Sequence, residues 1–420
     1  MDNVVDLDVA SAGSRRGSRR RARASSRTAL VLGGGGLTGG VYEIGALRAL
    51  DLLTTNTSVN EFDVYVGTSA GAFVSSLAAN GVTPEEMMRV LNRDLPSPLR
   101  DIDLRTILRP NYRGFADAAI RAPFRLAGIA AEVVKGLGDI SVIDVAGALG
   151  ALLPNGLYSG KGLELYVREV LSDPDRTDDF RELGPELFLT ATDLDTTERV
   201  VLGEGEWARV PISKAVAASG ALPVVYEPVT IGDREFIDGG IRSTTNIDVA
   251  VDRGAKFIVV INPLVPFVND FAKEVPTFTG SRPHRVSDMG AGAVANQAFR
   301  MLSHDRLHRA VADWEERYSG VDIILIEPEL NDELMFGTSI LDYRSRLQIA
   351  RHGFESVTLR LGRDYERWRE VAERHGIEIS GTRVARALEG AGAEEPEADL
   401  SVWRRVLEQT TATLLRGAAR

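Results

Sequence analysis

The chain reads as an α/β protein with a mainly parallel central sheet and helices on both faces. Two observations predict this. Short apolar runs of strand length alternate with segments of helical periodicity, and the first two runs each open through glycine-rich turns into a helix. A third observation qualifies it: residues 81–160 and the residues beyond 265 interrupt the alternation, as a helical insertion and a helical C-terminal extension would.

The elements follow in order. Residues 11–28, SAGSRRGSRRRARASSRT, carry seven arginines and no acid, so 1–27 read as a disordered basic tail. A polybasic arm of this kind also attracts anionic lipid, at about 1 kcal/mol per residue near the surface. The apolar stretch behind the arginines is only ALVL, too short for a signal peptide, and no run of about 18 apolar residues predicts a membrane span. ALVLG is the first strand, and the helix after it reaches about Leu53, with Ile44, Leu47 and Leu50 to Leu53 on its apolar face. FDVYVG (62–67) reads as a buried strand leading into helical SAGAFVSSLAANG. Residues 115–138 are an amphipathic helical pattern containing Pro123, read as scaffold, with a lid or lipid-facing surface as the alternative. ELFLTATDL (186–194), RVVLG (199–203), REFIDGG (234–240), KFIVVINPL (256–264) and VDIILIEPEL (321–330) supply the remaining strands. Residues 265–287 read as a long loop with three prolines, and the end as an acidic linker before a short amphipathic helix from about Leu400. The resulting organisation is a tail (1–27), a catalytic domain (28–265, insertion about 81–160), an α/β extension (266–390), and a linker with terminal helix (391–420).

Composition narrows the chemistry. The chain has 420 residues and no cysteine, which removes disulfides, zinc–thiolate sites and a thiol nucleophile; a reducing cytoplasm suits it. A net charge of −11 argues against a general nucleic-acid binder.

Three motifs remain. GGGGLTGG (33–40) places six glycines in eight positions between a strand and a helix. Gly34, Gly36 and Gly39 satisfy GxGxxG, but a dinucleotide fold wants an acid at the end of the second strand. That strand ends in VYVGTSAG, without one. What stands there is Gly67-Thr68-Ser69-Ala70-Gly71, a G-x-S-x-G between strand and helix. In a nucleophile elbow the serine occupies a strained turn and the flanking glycines let neighbouring backbone pass; the competing reading is a serine N-cap on an ordinary helix. Asp238-Gly239-Gly240 follows EFI, where a strand delivers a carboxylate to the sheet edge as a proton acceptor. The five histidines (His284, His304, His308, His352, His375) stand at no evident strand end. His304 and His308 are spaced i, i+4 but show no third ligand, so they read as a solvated helix face, with no metal. Together the motifs place a nucleophile, a base and a row of backbone N–H donors at one edge.

This trio, in this order, resembles the patatin-like phospholipase family, as do VYEIGALRAL (41–50), LTATDLDTTERVVL (189–202) and AVAASGALPVVYEPV (215–229); the likeness covers about residues 28–265. The resemblance implies a three-layer α/β/α fold and a Ser–Asp dyad without histidine. Ser69 would attack a lipid ester carbonyl, Asp238 would take its proton, and Gly34, Gly35, Gly36, Leu37 and Gly39 would form the oxyanion loop. It implies no cofactor, and a lipid or membrane-surface substrate met at the cytoplasmic membrane face. The rivals are a Ser-His-Asp hydrolase and a non-catalytic lipid-binding or scaffolding protein. One departure stands out: most members carry Arg or Lys just before the loop's final glycine, where this chain has Thr38–Gly39, and Arg242 is the substitute cation to consider.

Overall fold

The computed structural model describes residues 26–92, 99, 102–135, 150, 153–268, 285–312 and 314–391. The basic tail, most of the 265–287 loop (His284 included) and the segment from 392 onward lie outside them.

Among the described residues the strands are β1 (Thr28–Leu32), β2 (Val64–Thr68), β3 (Gly156–Tyr158), β4 (Glu186–Asp193), β5 (Arg199–Leu202), β6 (Val224–Tyr226), β7 (Val229–Ile231), β8 (Arg234–Asp238), β9 (Phe257–Ile261) and β10 (Asp322–Ile326). The main sheet runs β10-β9-β1-β2-β4-β8-β7, with β5 paired to β4; β3 and β6 form a separate pair. From β10 to β4 the pairing is parallel. Strands β5 and β8 pair antiparallel with β4, and β7 pairs antiparallel with β8. Every residue of β1, β2 and β9 is buried, so these strands do not alternate apolar with charged residues: both faces are covered.

The helices used below are α1 (Gly36–Leu53), α2 (Ala70–Ala79), α3 (Lys161–Leu171), α4 (Ile212–Ser219), α5 (Ile247–Asp252), α6 (Ala291–Ala312) and α7 (Arg346–Arg363). On one face of the sheet Leu30, Leu32 and Tyr65 pack with residues of α1, α2 and α7. On the other, Ala29, Val31, Val66 and Val260 pack with α5, Leu307 of α6 and Trp314. This is the three-layer arrangement expected of the sequence. The C-terminal residues enter it directly: β10 adds to the sheet edge, and α7 crosses α1 at glycine contacts. A Cβ on Gly45 would overlap the backbone of Ala350, and one on Gly353 that of Tyr42. The helix Tyr112–Lys135 continues through Pro123, which removes one rung of its hydrogen-bond ladder.

The geometry of β4 positions the site. It extends beyond β2, whose last residue Thr68 pairs with Thr190. Antiparallel β8 pairs only with the overhang, Ala191 to Asp193, and its last residue, Asp238, sits opposite Ala191. Asp238 therefore reaches the carboxyl edge of the parallel strands from the opposite direction, one step past the residue that flanks Thr68.

Candidate active site

Strand β2 ends at Thr68, and Ser69 turns sharply into α2 with φ 56° and ψ −120°. A non-glycine residue in this region stores about 1–3 kcal/mol of strain unless its surroundings hold it. They do so on both sides. A Cβ on Gly71 would strike the carbonyls of Leu32 and Gly33, and one on Gly67 would strike Ser75 and the α2 backbone. The Gly71 N–H donates to Gly33 O at 3.0 Å, and the Ser69 N–H donates to Ser219 Oγ at 2.9 Å. Ser219, at the end of α4, in turn donates to Thr190 O at 2.7 Å.

The side chain of Ser69 does not cap α2, so the ordinary N-cap reading fails. Its hydroxyl instead donates to Asp238 Oδ2 at 2.6 Å. The other carboxylate oxygen, Oδ1, accepts the Gly240 N–H at 2.7 Å, which fixes the plane of the group. Gly239 lies too close to the backbone of Thr190 for any side chain. Asp238 is only 3% exposed. Burial pushes its carboxyl up to about 6, against the opposing effect of the hydrogen bonds from Ser69 and Gly240.

The glycine loop lies against this pair. Gly34 packs on Ser69, its Cβ position 3.3 Å from the serine Cβ. No hydrogen bond among the described residues takes the N–H of Gly34, Gly35 or Gly36, and all three line one cavity with Ser69 and Asp238. Two other residues expected as donors are engaged elsewhere. The Leu37 N–H donates to Ile340 O at 2.8 Å, and the Gly39 N–H to Gly35 O at 3.0 Å within the helix. Gly36, at φ +64°, has Ile340 directly above its Cα. Thr38, which stands where a cation was expected, is buried and donates through Oγ1 to Ser339 O at 2.7 Å. The position thus anchors residues 339–340 of the C-terminal extension. Arg242 is exposed on the turn after Asp238.

Behind the serine lies a polar brace that the sequence did not reveal. Thr68 and Thr190 share a hydrogen bond of 2.9 Å. The amide of buried Asn246 donates to both, at 2.9 and 3.0 Å. Its carbonyl accepts from Arg199, which also forks onto Asp248. Glu43, inside α1 and wholly buried beside Gly33, was also missed; burial holds its carboxyl well above the usual range.

No described histidine hydrogen-bonds Ser69 or lines its cavity. His352 pairs with Asp332, His375 with Asp322 at 2.7 Å, His308 with Glu327 at 2.9 Å, and His304 stacks on His308. The cavity has a volume of about 160 Å³, and apolar side chains such as Val41, Phe73, Leu163 and Tyr343 form much of its wall. Buried carboxylate, strained serine, unengaged N–H groups and apolar cavity together suit attack on an acyl carbon.

A family model described as patatin-like phospholipase matches residues 30–251. The chain belongs to the patatin-like phospholipase family. The chain is also similar to the probable lipid hydrolase 463L of Invertebrate iridescent virus 6, at 21% identity over 223 residues. The match covers 53% of this chain and 62% of the viral protein, so the chain spans less than two thirds of that relative. Among solved structures, VipD from Legionella pneumophila is similar over 80% of this chain and 67% of its own, at 16% identity and a TM-score of 0.36. The type III effector protein ExoU is similar over 80% of this chain and 53% of its own, at 16% identity and a TM-score of 0.31. The family match ends at residue 251 and so leaves out β9, which pairs with β1, and the Ser339–Ile340 segment that lies against the glycine loop in this chain.

Proposed function

We propose that the chain is a serine acyl hydrolase that cleaves carboxylic ester bonds of lipids, as a phospholipase A or lysophospholipase does. The observation that carries this reading is the Ser69 Oγ to Asp238 Oδ2 hydrogen bond of 2.6 Å, formed on the wall of an apolar cavity beside unengaged glycine N–H groups. As Ser69 Oγ bonds to the ester carbon, its proton passes to Asp238 Oδ2. The carbonyl oxygen becomes an oxyanion facing the N–H groups of Gly34, Gly35 and Gly36, at the positive end of α1. Asp238 returns the proton to the departing alcohol oxygen, leaving the acyl group on Ser69. A water then gives its proton to Asp238 and bonds to the acyl carbon, and the serine leaves with the proton restored. The apolar cavity accommodates the acyl chain.

The reading extends to a peripheral position at a membrane. Tyr112, Phe115, Ile120 and Phe124 of the helix Tyr112–Lys135 are all exposed, an unusual concentration of large apolar side chains on one element. Val224, 73% exposed, stands next to Val225 and Tyr226 of the cavity wall. No helix among the described residues is long and apolar enough to cross a membrane.

The test is a panel of phospholipids, lysophospholipids and neutral glycerides presented as vesicles, with products identified by mass spectrometry. Release of free fatty acid by the wild type and none by Ser69→Ala is the expected result. Equal, background-level release by both proteins across the panel would contradict the reading.

A further inference from the structure

Away from the serine, the fold assembles a group of ligating side chains that the spacing of the sequence does not reveal. His304 and His308 lie one turn apart on α6 with their ring centroids 3.9 Å apart. The third member comes from another element. Glu327 directly follows β10 and is 8% exposed. Its Oε2 lies 2.9 Å from His308 Nε2, and its Oε1 accepts from the amide of buried Asn262 at 2.8 Å. One ligand atom from each of the three lies within 4.8 Å of the others. Ligand atoms at about 2.0–2.2 Å from a tetrahedral ion lie roughly 3.3–3.6 Å apart, so side-chain rotations that draw the three groups inward are needed to close the set. The two histidines are partly exposed, which leaves room for water at the remaining positions, and the Asn262 contact is the kind of outer hydrogen bond that aims a ligating carboxylate.

We propose that His304, His308 and Glu327 bind one divalent first-row transition ion, of the Zn²⁺ or Co²⁺ kind, which clamps α6 to the end of β10. Two imidazoles and one carboxylate suit these ions and not the oxygen-seeking Mg²⁺ or Ca²⁺. The role is structural. Helix α6 also carries Asn296 and Phe299 on the cavity wall, and its Arg300 holds the carbonyls of Val265 and Met335. An ion at its outer half therefore fixes one side of the cavity without touching Ser69 or Asp238. The site is independent of the acyl hydrolase reading and stands or falls without it.

The experiment uses the full chain without an affinity tag, stripped with EDTA, and titrated with Co²⁺ by visible absorption and with Zn²⁺ by calorimetry. One ion per chain, Co²⁺ ligand-field bands, and a metal-dependent rise in Tm are expected. The double variant H304A/H308A should keep the circular dichroism of the wild type, with a metal-free Tm lowered by loss of the His308–Glu327 contact, and should lose both the binding and the metal-dependent rise in Tm. Glu327→Gln should weaken binding at least tenfold, since outer-contact changes alone cost about 10–100-fold. No saturable binding at millimolar ion overturns the proposal. Undiminished binding in the double variant, or in Glu327→Gln, overturns it equally.

Discussion

The candidate catalytic edge and the C-terminal region of this chain both pair hydrogen-bonding side chains with carboxylates, but in different surroundings. In the C-terminal region His352 meets Asp332, His375 meets Asp322 and His308 meets Glu327, and each pair joins neighbouring elements of the fold. At the catalytic edge a serine meets Asp238 with no imidazole between them. Burial pushes the Asp238 carboxyl up to about 6, close to the ordinary value of about 6.5 for histidine. On the function proposed above, the contrast teaches how a serine site would run without histidine: desolvation moves an aspartate into the range in which an imidazole would work. The described histidines His308, His352 and His375 are engaged with other carboxylates.

The largest effect that sharpens this comparison comes from Asp238→Asn. Loss of a positioned base should lower ester turnover by about 10²–10⁴-fold, measured as kcat/KM on a soluble ester. The same change should raise stability. A carboxyl whose folded pKa lies above its unfolded value contributes stability fully present below the unfolded value and lost as pH rises through the folded one. The shift from 3.8 to about 6 therefore costs the wild type on the order of 3 kcal/mol of stability at pH 8 and nearly nothing at pH 3. Denaturant melts of the wild type and the asparagine variant at the two pH values check this. A variant less stable than the wild type at pH 8 would break the account of a strained, buried base.

A smaller effect is expected in the other region. His352→Ala and His375→Ala should each leave kcat/KM within about threefold of the wild type, since a true base would cost about 10²–10⁴-fold. Their cost should fall on stability instead, read as a lower Tm. A hundredfold loss of turnover in either, with the fold retained, would move the base from the aspartate to that histidine.

Much of the fold was legible because its signals are local. Apolar runs of strand length give β1, β2, β4 and β9, and the alternation with helices gives the parallel order. The short strands β3, β6 and β7, of three residues each, carry too few positions for a pattern. At the site, G-x-S-x-G and Asp-Gly-Gly mark Ser69 and Asp238 as strand-end residues, and the fold brings them within 2.6 Å. What stayed hidden depends on residues far apart in the chain. Leu37 looks like a free donor until Ile340, from the C-terminal extension, takes its N–H. Thr38 looks like a missing cation until Ser339 appears beside it. Asn246 braces Thr68 and Thr190 across three elements. His304 and His308 read as solvated until β10 delivers Glu327. None of these partners lies within reach of a motif.

The central claim is that Asp238 alone activates Ser69, and the rate of labelling by a fluorophosphonate measures it most directly. The account predicts one label per chain, mapped to Ser69, with a rate that climbs through about pH 6 as Asp238 loses its proton and then levels off. Ser69→Ala should not label, and Asp238→Asn should label slowly with no step near pH 6. Labelling that persists in Ser69→Ala, or a wild-type rate and profile in Asp238→Asn, would contradict it.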